Sequence, residues 1–250
     1  MPPTLPSVSV VIPCFNDAGV LEACLRSLRN QTLDPLQIVV VDNNCTDAST
    51  AVARRYGAEV VSEPVQGIPA AAAAGYDAAR GAIIARCDAD SVLPADWIHR
   101  LAEFFAAEPD VDVVSGPGAF YGLPRPLGAL LSSLYLGSYY AAMGPALAHR
   151  PFFGSNLALR STAWDRVRGS VHRGDAEMHD DVCLSLHMGL DFSCRYDRSL
   201  RVGISPRALQ GRANVARRFR RAFHTLAAHW PQEYPWRRWQ RRFSGPVPRT

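Results

Sequence analysis

The most informative part of the sequence is Gly81-Ala-Ile-Ile-Ala-Arg-Cys-Asp-Ala-Asp-Ser91. The apolar run from Ala82 to Ala85 predicts a short strand that is buried on both faces. Two carboxylates, Asp88 and Asp90, follow it with one alanine between them. Because residues i and i+2 of an extended chain point to the same side, both carboxylates are expected to face one point.

Such a pair of acids is typical of a metal site. Two nearby carboxylates repel unless a cation lies between them, and hard oxygen ligands suit Mg²⁺ or Mn²⁺. An ion held by only two protein groups keeps positions open for a substrate diphosphate. We therefore predict that Asp88 and Asp90 hold a divalent metal. A solvated turn is the alternative, since acidic pairs at strand ends are common without a metal.

The composition is that of an ordinary globular protein. The chain has 250 residues, of which 48% are hydrophobic and 20% charged, which excludes wholesale disorder. All 27 basic residues are arginine, and arginine favours phosphate contacts. The six cysteines lack metal-type spacing and are interpreted as reduced thiols. The first residues predict no signal peptide, so a cytoplasmic protein is expected.

Strands and helices alternate through the first part of the chain. Strand-like runs lie at 7–13, 37–42 and 58–62, and helical spacing at 17–30, 46–56 and 68–79. This alternation predicts a parallel sheet, which binds ligands beyond the carboxyl ends of its strands. Neither a Gly-x-Gly-x-x-Gly fingerprint nor a P-loop is present, so a nucleotide must be held by another scheme.

The second part of the chain contains two unusual segments. Residues 127–148 carry no charge but include glycines, serines and tyrosines, which favours a buried or interfacial helix over a membrane span. Such a helix could line the path of a lipid-linked acceptor. From residue 217 on, arginines alternate with aromatic residues. That tail could lie on an anionic membrane or pack on the domain. Nucleic acid is not expected, because no recognition module is visible.

Several spaced motifs together resemble family 2 glycosyltransferases of the GT-A fold. They are Val-Val-Ile-Pro-Cys-Phe-Asn-Asp (10–17), Val-Val-Val-Asp-Asn-Asn-Cys-Thr-Asp (39–47), Gly67-Ile-Pro-Ala-Ala, Ala79-Arg-Gly81, Cys-Asp-Ala-Asp (87–90), Gly154-Ser-Asn-Leu-Ala-Leu-Arg160 and His179-Asp-Asp-Val-Cys-Leu-Ser185. The resemblance implies an α/β fold with a Rossmann-like, mostly parallel central sheet flanked by helices. A GT-A domain is expected over 1–210, with a nucleotide-binding half at about 7–92 and an acceptor and catalytic half at about 93–210. Residues 211–250 are expected to form a basic, aromatic helical extension.

The activity that the resemblance implies is a metal-dependent, inverting sugar transfer from a nucleotide-diphospho-sugar to an acceptor hydroxyl. The acceptor is expected to be a sugar or a lipid-linked molecule in glycan, glycolipid or cell-envelope synthesis. A single transfer is favoured over polymer synthesis, because no Gln-x-x-Arg-Trp signature is present. The protein is then cytoplasmic, or peripheral on the inner face of the cell membrane.

The resemblance also implies which residues bind the nucleotide. Pro13 and Phe15 match positions that line the base pocket, and Asp17 matches an acidic residue near the nucleoside. Asp42 and Asn43 match a pair that contacts base and ribose. The second member of that pair is usually acidic, and the asparagine keeps an acceptor oxygen but loses the charge.

The metal and the diphosphate have their own matching positions. Asp90 matches the principal metal ligand, and Asp88 a position near ribose and metal. Arg207 and Arg212 lie where relatives carry a basic loop that closes over the donor, and are candidate diphosphate partners.

One departure from the family pattern concerns the same diphosphate. Many relatives have Ala-Arg-Asn where this chain has Ala71-Ala72-Ala73, which puts donor affinity or activity in question. Arg80 or Arg86 is a candidate replacement, with an ordinary surface arginine as the alternative for each.

The acceptor side and the catalytic base lie further along the chain. Gly154, Ser155 and Asn156 match the segment that borders the acceptor pocket, where small residues let the backbone approach a sugar. Asp181 matches the base that takes the proton of the acceptor hydroxyl, and Asp180 is the alternate. Capping of a helix N-terminus is the other interpretation of these two acids. Two rival functions stay open, a nucleotidyltransferase and a catalytically silent nucleotide-sugar binder.

Overall fold

The computed structural model describes residues 4–209, 212–230 and 232–244. The strands in this part of the chain are β1 (Val8–Cys14), β2 (Gln37–Asp42), β3 (Glu59–Ser62), β4 (Ile83–Arg86), β5 (Val113–Ser115), β6 (Gly118–Phe120), β7 (Leu157–Arg160), β8 (Cys194–Tyr196) and β9 (Val202–Ile204). The helices are α1 (Ala18–Arg29), α2 (Ser49–Arg55), α3 (Ile68–Ala78), α4 (Trp97–Ala107), α5 (Arg125–Leu147), α6 (Ser161–Val167), α7 (Asp180–Met188), α8 (Arg212–His229) and α9 (Pro235–Phe243).

Seven of the strands form one sheet in the order β3-β2-β1-β4-β7-β5-β8. Neighbours in the run from β3 to β4 are parallel, and β8 is parallel to β5. Strand β7 alone is antiparallel to both of its neighbours. Strands β6 and β9 form a separate parallel pair. The prediction of a mostly parallel central sheet is therefore confirmed.

Alternate residues of β1 contribute to two hydrophobic cores, one on each face of the sheet. Val10 and Ile12 pack in the core that holds α1, α2 and α4. Val11 packs in the core that holds α3, α6 and α7. All three side chains are fully buried. This two-sided burial explains why the strand is continuously apolar, as parallel strands covered on both faces are.

Some element boundaries differ from the predicted ones for local reasons. Strand β4 begins at Ile83, one residue later than expected, where the N–H of Ala82 bonds to the hydroxyl of Ser7. The stretch 112–118 forms two short strands, β5 and β6. Between them Gly116 donates to the carbonyl of Asn156, and Pro117 has no N–H to donate.

The uncharged segment at 127–148 forms most of helix α5, as expected of a buried or interfacial helix. A third core lies between α5, α7 and α8 and is built from Met143, Leu147, Val182, Leu186, Ala222 and Leu226. The opposite face of α5 is open, with Leu130 57% and Leu134 60% exposed. Over the described residues, no helix combines the length and apolar character needed to span a bilayer.

Gly75 in α3 allows that helix to lie close against the sheet, and it provides a stability test. A Cβ at Gly75 would collide with the side chain of Val11 and approach Cγ2 of Val41 to 2.9 Å. We expect Gly75→Ala to lower the free energy of unfolding in urea by about 1–3 kcal/mol. The matched control is Gly137→Ala in α5, where no atom lies within 4 Å of the added Cβ. That change is expected to raise stability by about 0.5–1 kcal/mol, because alanine favours a helix. Equal effects at both positions would contradict the close packing of α3.

Candidate active site

One buried guanidinium joins acidic side chains from two elements. Arg86, the last residue of β4, is 4% exposed. Its Nη1 lies 3.0 Å from Oδ1 of Asp181 and also bonds to Asp180, and its Nη2 lies 3.4 Å from Oδ1 of Asp88. Both Asp180 and Asp181 stand in the first turn of α7. Arg86 is therefore not an ordinary surface arginine, whereas Arg80 is one, in an exposed ion pair with Glu59.

Asp181 is held in a buried and directed position. Its Oδ2 accepts a hydrogen bond of 2.8 Å from the N–H of Gly154, and its side chain is 11% exposed. Burial and the negative charge of Asp180 raise the pKa of Asp181, Arg86 lowers it, and the net pKa is about 7. A Cβ at position 154 would collide with Oδ1 of Asp181 and lie 2.6 Å from Nη1 of Arg86. Only glycine fits at position 154 without displacing these groups.

The acidic pair after β4 faces a recess of about 190 Å³ that it shares with Ser155 and Arg207. Asp88 accepts a hydrogen bond from the hydroxyl of Ser155. Nη2 of Arg207 lies 2.8 Å from Oδ2 of Asp90 and 3.0 Å from Oδ1 of Asp17. Burial and the charge of Asp88 raise the pKa of Asp90, while Arg207 lowers it. The side chain of Arg212 lies outside the described residues.

The other positions predicted to bind nucleotide lie at the same edge of the sheet. Pro13 is half-buried near the end of β1, Phe15 follows with 50% of its surface exposed, and Oδ1 of Asp42 accepts the N–H of Cys45 at 2.8 Å. Asn43 is 3% exposed, and its amide bonds to the backbone of Glu63, Val65 and Gly67. Asn43 therefore holds the loop at 63–67 through hydrogen bonds. A contact between Asn43 and a nucleotide stays a prediction.

In the predicted acceptor segment, Ser155 lines the cleft and Asn156 is buried. Asn156 is 2% exposed, and its amide bonds to the indole N–H of Trp97 and to the carbonyls of Pro117 and Leu200. Asn156 therefore positions the turn that presents Gly154 and Ser155.

A cleft of about 410 Å³ opens over Asp88, Asp180 and Asp181. Five arginines line it, two of which were already sequence candidates. The aromatic side chains of Tyr135 and Tyr139 from α5 and three arginines from α8 were not among those candidates. The clearest signal for the arginines was their alternation with aromatic residues after 217. The arginines are Arg86, Arg207, Arg217, Arg218 and Arg221.

The position of the missing arginine lies close to Arg86. Ala72 is 3% exposed in α3 and borders a small cavity that Arg86, Tyr76 and Asp180 also line. Arg86 thus approaches, from β4, the place where a longer side chain at position 72 would lie. Whether it replaces that residue in diphosphate binding stays a prediction.

An α/β sheet whose acidic strand ends meet a basic cleft is typical of a binding site for an anionic ligand. The sequence pattern described as glycosyl transferase family 2 matches residues 9–158. The chain belongs to that family.

Relatives and solved structures agree with this membership. The glycosyltransferase AglE of Haloferax volcanii is 32% identical over 124 residues, 46% of this chain and 40% of that protein. An uncharacterised glycosyltransferase of Mycobacterium tuberculosis is 39% identical over 112 residues, 44% of this chain and 48% of that protein. The match therefore spans less than half of the length of each relative.

Two solved structures share the fold. A mannosyltransferase of Pyrobaculum calidifontis in complex with GDP-Man and Mn²⁺ aligns with a TM-score of 0.62 and 24% identity, covering 89% of this chain and 63% of its own. Glucosyl-3-phosphoglycerate synthase of M. tuberculosis aligns with a TM-score of 0.65 and 17% identity, covering 89% and 80%. The fold is the GT-A fold, as the sequence motifs predict.

Arg86 and Arg80 offer a matched test of the buried cation. We expect Arg86→Met to lower the free energy of unfolding by about 3–5 kcal/mol, because it leaves a pair of carboxylates buried without their partner. Arg80→Met removes an exposed pair and should cost less than about 1 kcal/mol.

The loss in Arg86→Met is also expected to depend on pH. The folded-state pKa of Asp181 lies above its ordinary value of 3.8, so the protonated carboxyl group contributes to the stability of the fold at low pH. That contribution is lost as the pH rises toward 7. Removal of Arg86 strengthens this effect, and chemical denaturation should show a larger loss at about pH 8 than at about pH 5. A loss that is the same at both pH values would count against this ionic role.

Proposed function

We propose that this chain is a metal-dependent, inverting glycosyltransferase that moves a sugar from a nucleotide-diphospho-sugar to an acceptor hydroxyl in a single transfer. One observation carries the proposal: Asp88, which belongs to the acidic strand end, and Asp181 share one cleft and are bridged by Arg86. This proximity supports a donor site and a base that act side by side. The complex of the Pyrobaculum enzyme with GDP-Man and Mn²⁺ supports the donor class and the metal.

The acidic recess fits a hard divalent ion. Asp88 and Asp90 offer carboxylate oxygens at one recess, with the Ser155 hydroxyl beside them. Mg²⁺ or Mn²⁺ prefers such oxygen ligands, and when bound it offsets charge on the departing nucleoside diphosphate. Arg207, which contacts Asp90 and Asp17, lies within reach of the same diphosphate and adds a second positive charge.

Asp181 has the properties of a general base. Its pKa of about 7 lies near neutral pH, where a base combines a useful ionised fraction with affinity for a proton. The Gly154 N–H holds one carboxylate oxygen, and Arg86 fixes the other. A single displacement at the anomeric carbon, with Asp181 taking the proton of the attacking hydroxyl, inverts the configuration of that carbon.

The acceptor is proposed to carry an apolar chain. A groove of about 340 Å³ with mainly apolar walls lies between α5 and α8, and it shares Tyr135, Tyr139, His179 and Arg218 with the basic cleft. An acceptor with its anionic or sugar head in the cleft and its lipid in the groove would satisfy both chemistries. Leu134 and Phe219 line this groove and are 60% and 54% exposed, and arginines flank Phe219. Such a surface suits peripheral contact with an anionic membrane.

The test of the reaction is a transfer assay on the purified chain with UDP-, GDP-, dTDP- and CDP-sugars, a lipid-linked sugar as acceptor, and Mn²⁺. Wild type is expected to release a nucleoside diphosphate, and EDTA should stop the release. Asp90→Asn and Asp181→Asn are each expected to lose activity by about 10²-fold or more while staying folded. Because Asp181 must be ionised to accept a proton, kcat/KM should rise about tenfold per pH unit below its pKa and level off above about 7.

Other products would identify the rival functions. Pyrophosphate as the product would indicate a nucleotidyltransferase. Donor binding without turnover over a broad acceptor set would indicate a silent binder. Full activity in Asp181→Asn would remove that residue from the role of base.

The membrane surface is tested by sedimentation with phosphatidylglycerol vesicles. We expect the wild-type chain to bind them and a Leu134→Asn/Phe219→Asn variant to bind at least about tenfold more weakly, since each apolar side chain contributes about 1.5–3 kcal/mol when buried. Leu36→Asn is the control, because Leu36 is 55% exposed and does not line the groove. Equal binding by the double variant and the control would contradict the assignment of this surface.

A further inference from the structure

Three histidines and one cysteine meet beside helix α7, outside the set of residues assigned to the donor and the base. His172 comes from the segment after α6, Cys183 and His187 from α7, and His229 from the last position of α8. One ligand atom from each of the four lies within 4.8 Å of the others. The spacing of the six cysteines along the sequence indicated no metal site, because three of these four ligands are contributed by histidines on separate elements.

Local geometry explains how the four side chains come together. Cys183 and His187 are four residues apart, so they stand on one face of α7. Helix α8 packs against α7 through the core that contains Val182 and Leu226, and this packing brings His229 to the same face. The only local signal in the sequence is the Cys-x-x-x-His spacing on a helix.

Three of the six separations between the ligand atoms are close to those around a tetrahedral metal. Sγ of Cys183 lies 3.7 Å from Nδ1 of His172 and 3.8 Å from Nε2 of His229. Nε2 of His229 lies 3.3 Å from Nε2 of His187. A zinc ion with Zn–N of about 2.0 Å and Zn–S of about 2.3 Å separates its ligand atoms by about 3.3–3.6 Å in a tetrahedron.

One ligand is already oriented as metal-bound histidines usually are. Nδ1 of His229 bonds to the carbonyl oxygen of Thr225 at 2.7 Å. That carbonyl accepts only a proton-bearing nitrogen, so Nε2 of neutral His229 keeps its lone pair toward the cluster. His229 and Cys183 are 7% and 3% exposed, which suits a closed structural site.

We propose that His172, Cys183, His187 and His229 form a structural zinc site that fastens helix α8 to helix α7. Three imidazoles and a thiolate suit a borderline-soft ion such as Zn²⁺, whereas Mg²⁺ and Mn²⁺ prefer the carboxylates of the acidic recess. The two sites therefore select different metals. This zinc site does not depend on the proposed reaction.

The zinc site is linked to the cleft through α8. That helix supplies Arg218 and Arg221 to the lining of the cleft. The carbonyl of Thr225 orients His229. The hydroxyl of the same residue accepts a hydrogen bond of 2.7 Å from the backbone N–H of His179. His179 directly precedes Asp180 and Asp181. Zinc would thereby hold both the basic wall of the cleft and the first turn of α7.

The test is the metal content of the full chain, purified without an affinity tag and measured by mass spectrometry after dialysis. Wild type is expected to carry one zinc per chain, and Cys183→Ser and His187→Ala are expected to lose most of it. Cys194→Ser is the matched control, since Cys194 lies on β8 and is not one of the four residues. Asp90→Asn should also keep its zinc, because Asp90 belongs to the acidic recess.

Cobalt provides a second readout that does not require the variants to fold. After removal of zinc by a chelator, wild type titrated with Co²⁺ should develop a thiolate-to-cobalt charge-transfer band, which excess Mg²⁺ leaves in place and Zn²⁺ abolishes. The chelator should also lower the Tm of wild type but not that of a folded Cys183→Ser chain. Wild type without zinc and without the cobalt band would overturn the proposal. Zinc kept by Cys183→Ser but lost by Asp90→Asn would overturn it as well.

Discussion

The ion pairs of Arg86 are the constraint on which the rest of the site depends. Arg86 is 4% exposed, and burying a guanidinium is costly unless charged partners surround it. Here the partners are Asp88, which follows β4, and carboxylates at the start of α7. The cluster therefore fixes the distance between the end of a strand and the start of a helix that is remote in sequence. Because Asp88 is the proposed donor-side residue and Asp181 the proposed base, one cation sets the spacing of the two halves of the proposed reaction.

The same cluster also determines how easily Asp181 takes a proton. Burial and the neighbouring Asp180 favour the neutral acid, while Arg86 favours the carboxylate, and the balance leaves a pKa of about 7. A fully exposed aspartate has a much lower pKa and is ionised at any pH near neutral. Its carboxylate would bind a proton too weakly to be an effective base at neutral pH. Helix α8 completes the surroundings, since its arginines make the cleft attractive to anions.

Much of the fold could be predicted from the sequence, because its signals are local. The apolar run before Asp88 and the alternation of strands and helices place the acidic pair at the sheet edge, and the structure has it there. What the sequence does not show are contacts with residues that are remote along the chain. Asn43 and Asn156 are candidate site residues in the sequence. In the structure, the side-chain amide of each donates a hydrogen bond to a backbone carbonyl of a neighbouring loop. Nor does any local pattern show that Arg86 is buried, because Asp180 and Asp181, two of its partners, lie more than ninety residues away.

Strand β7 runs antiparallel to its neighbours, so its N-terminal end, and not its C-terminal end, lies at the site. On the parallel strands, the residues that reach the site follow a strand, as Asp88 follows β4. On β7 they precede it, so the turn at Gly154–Asn156 is the end of the connection that contains helix α5. A change in the length or course of that connection would alter the proposed acceptor side, while every loop of the proposed donor side keeps its strand. The fold thus allows the proposed acceptor site to diverge in evolution through one segment, without rebuilding the part of the sheet proposed to hold the nucleotide.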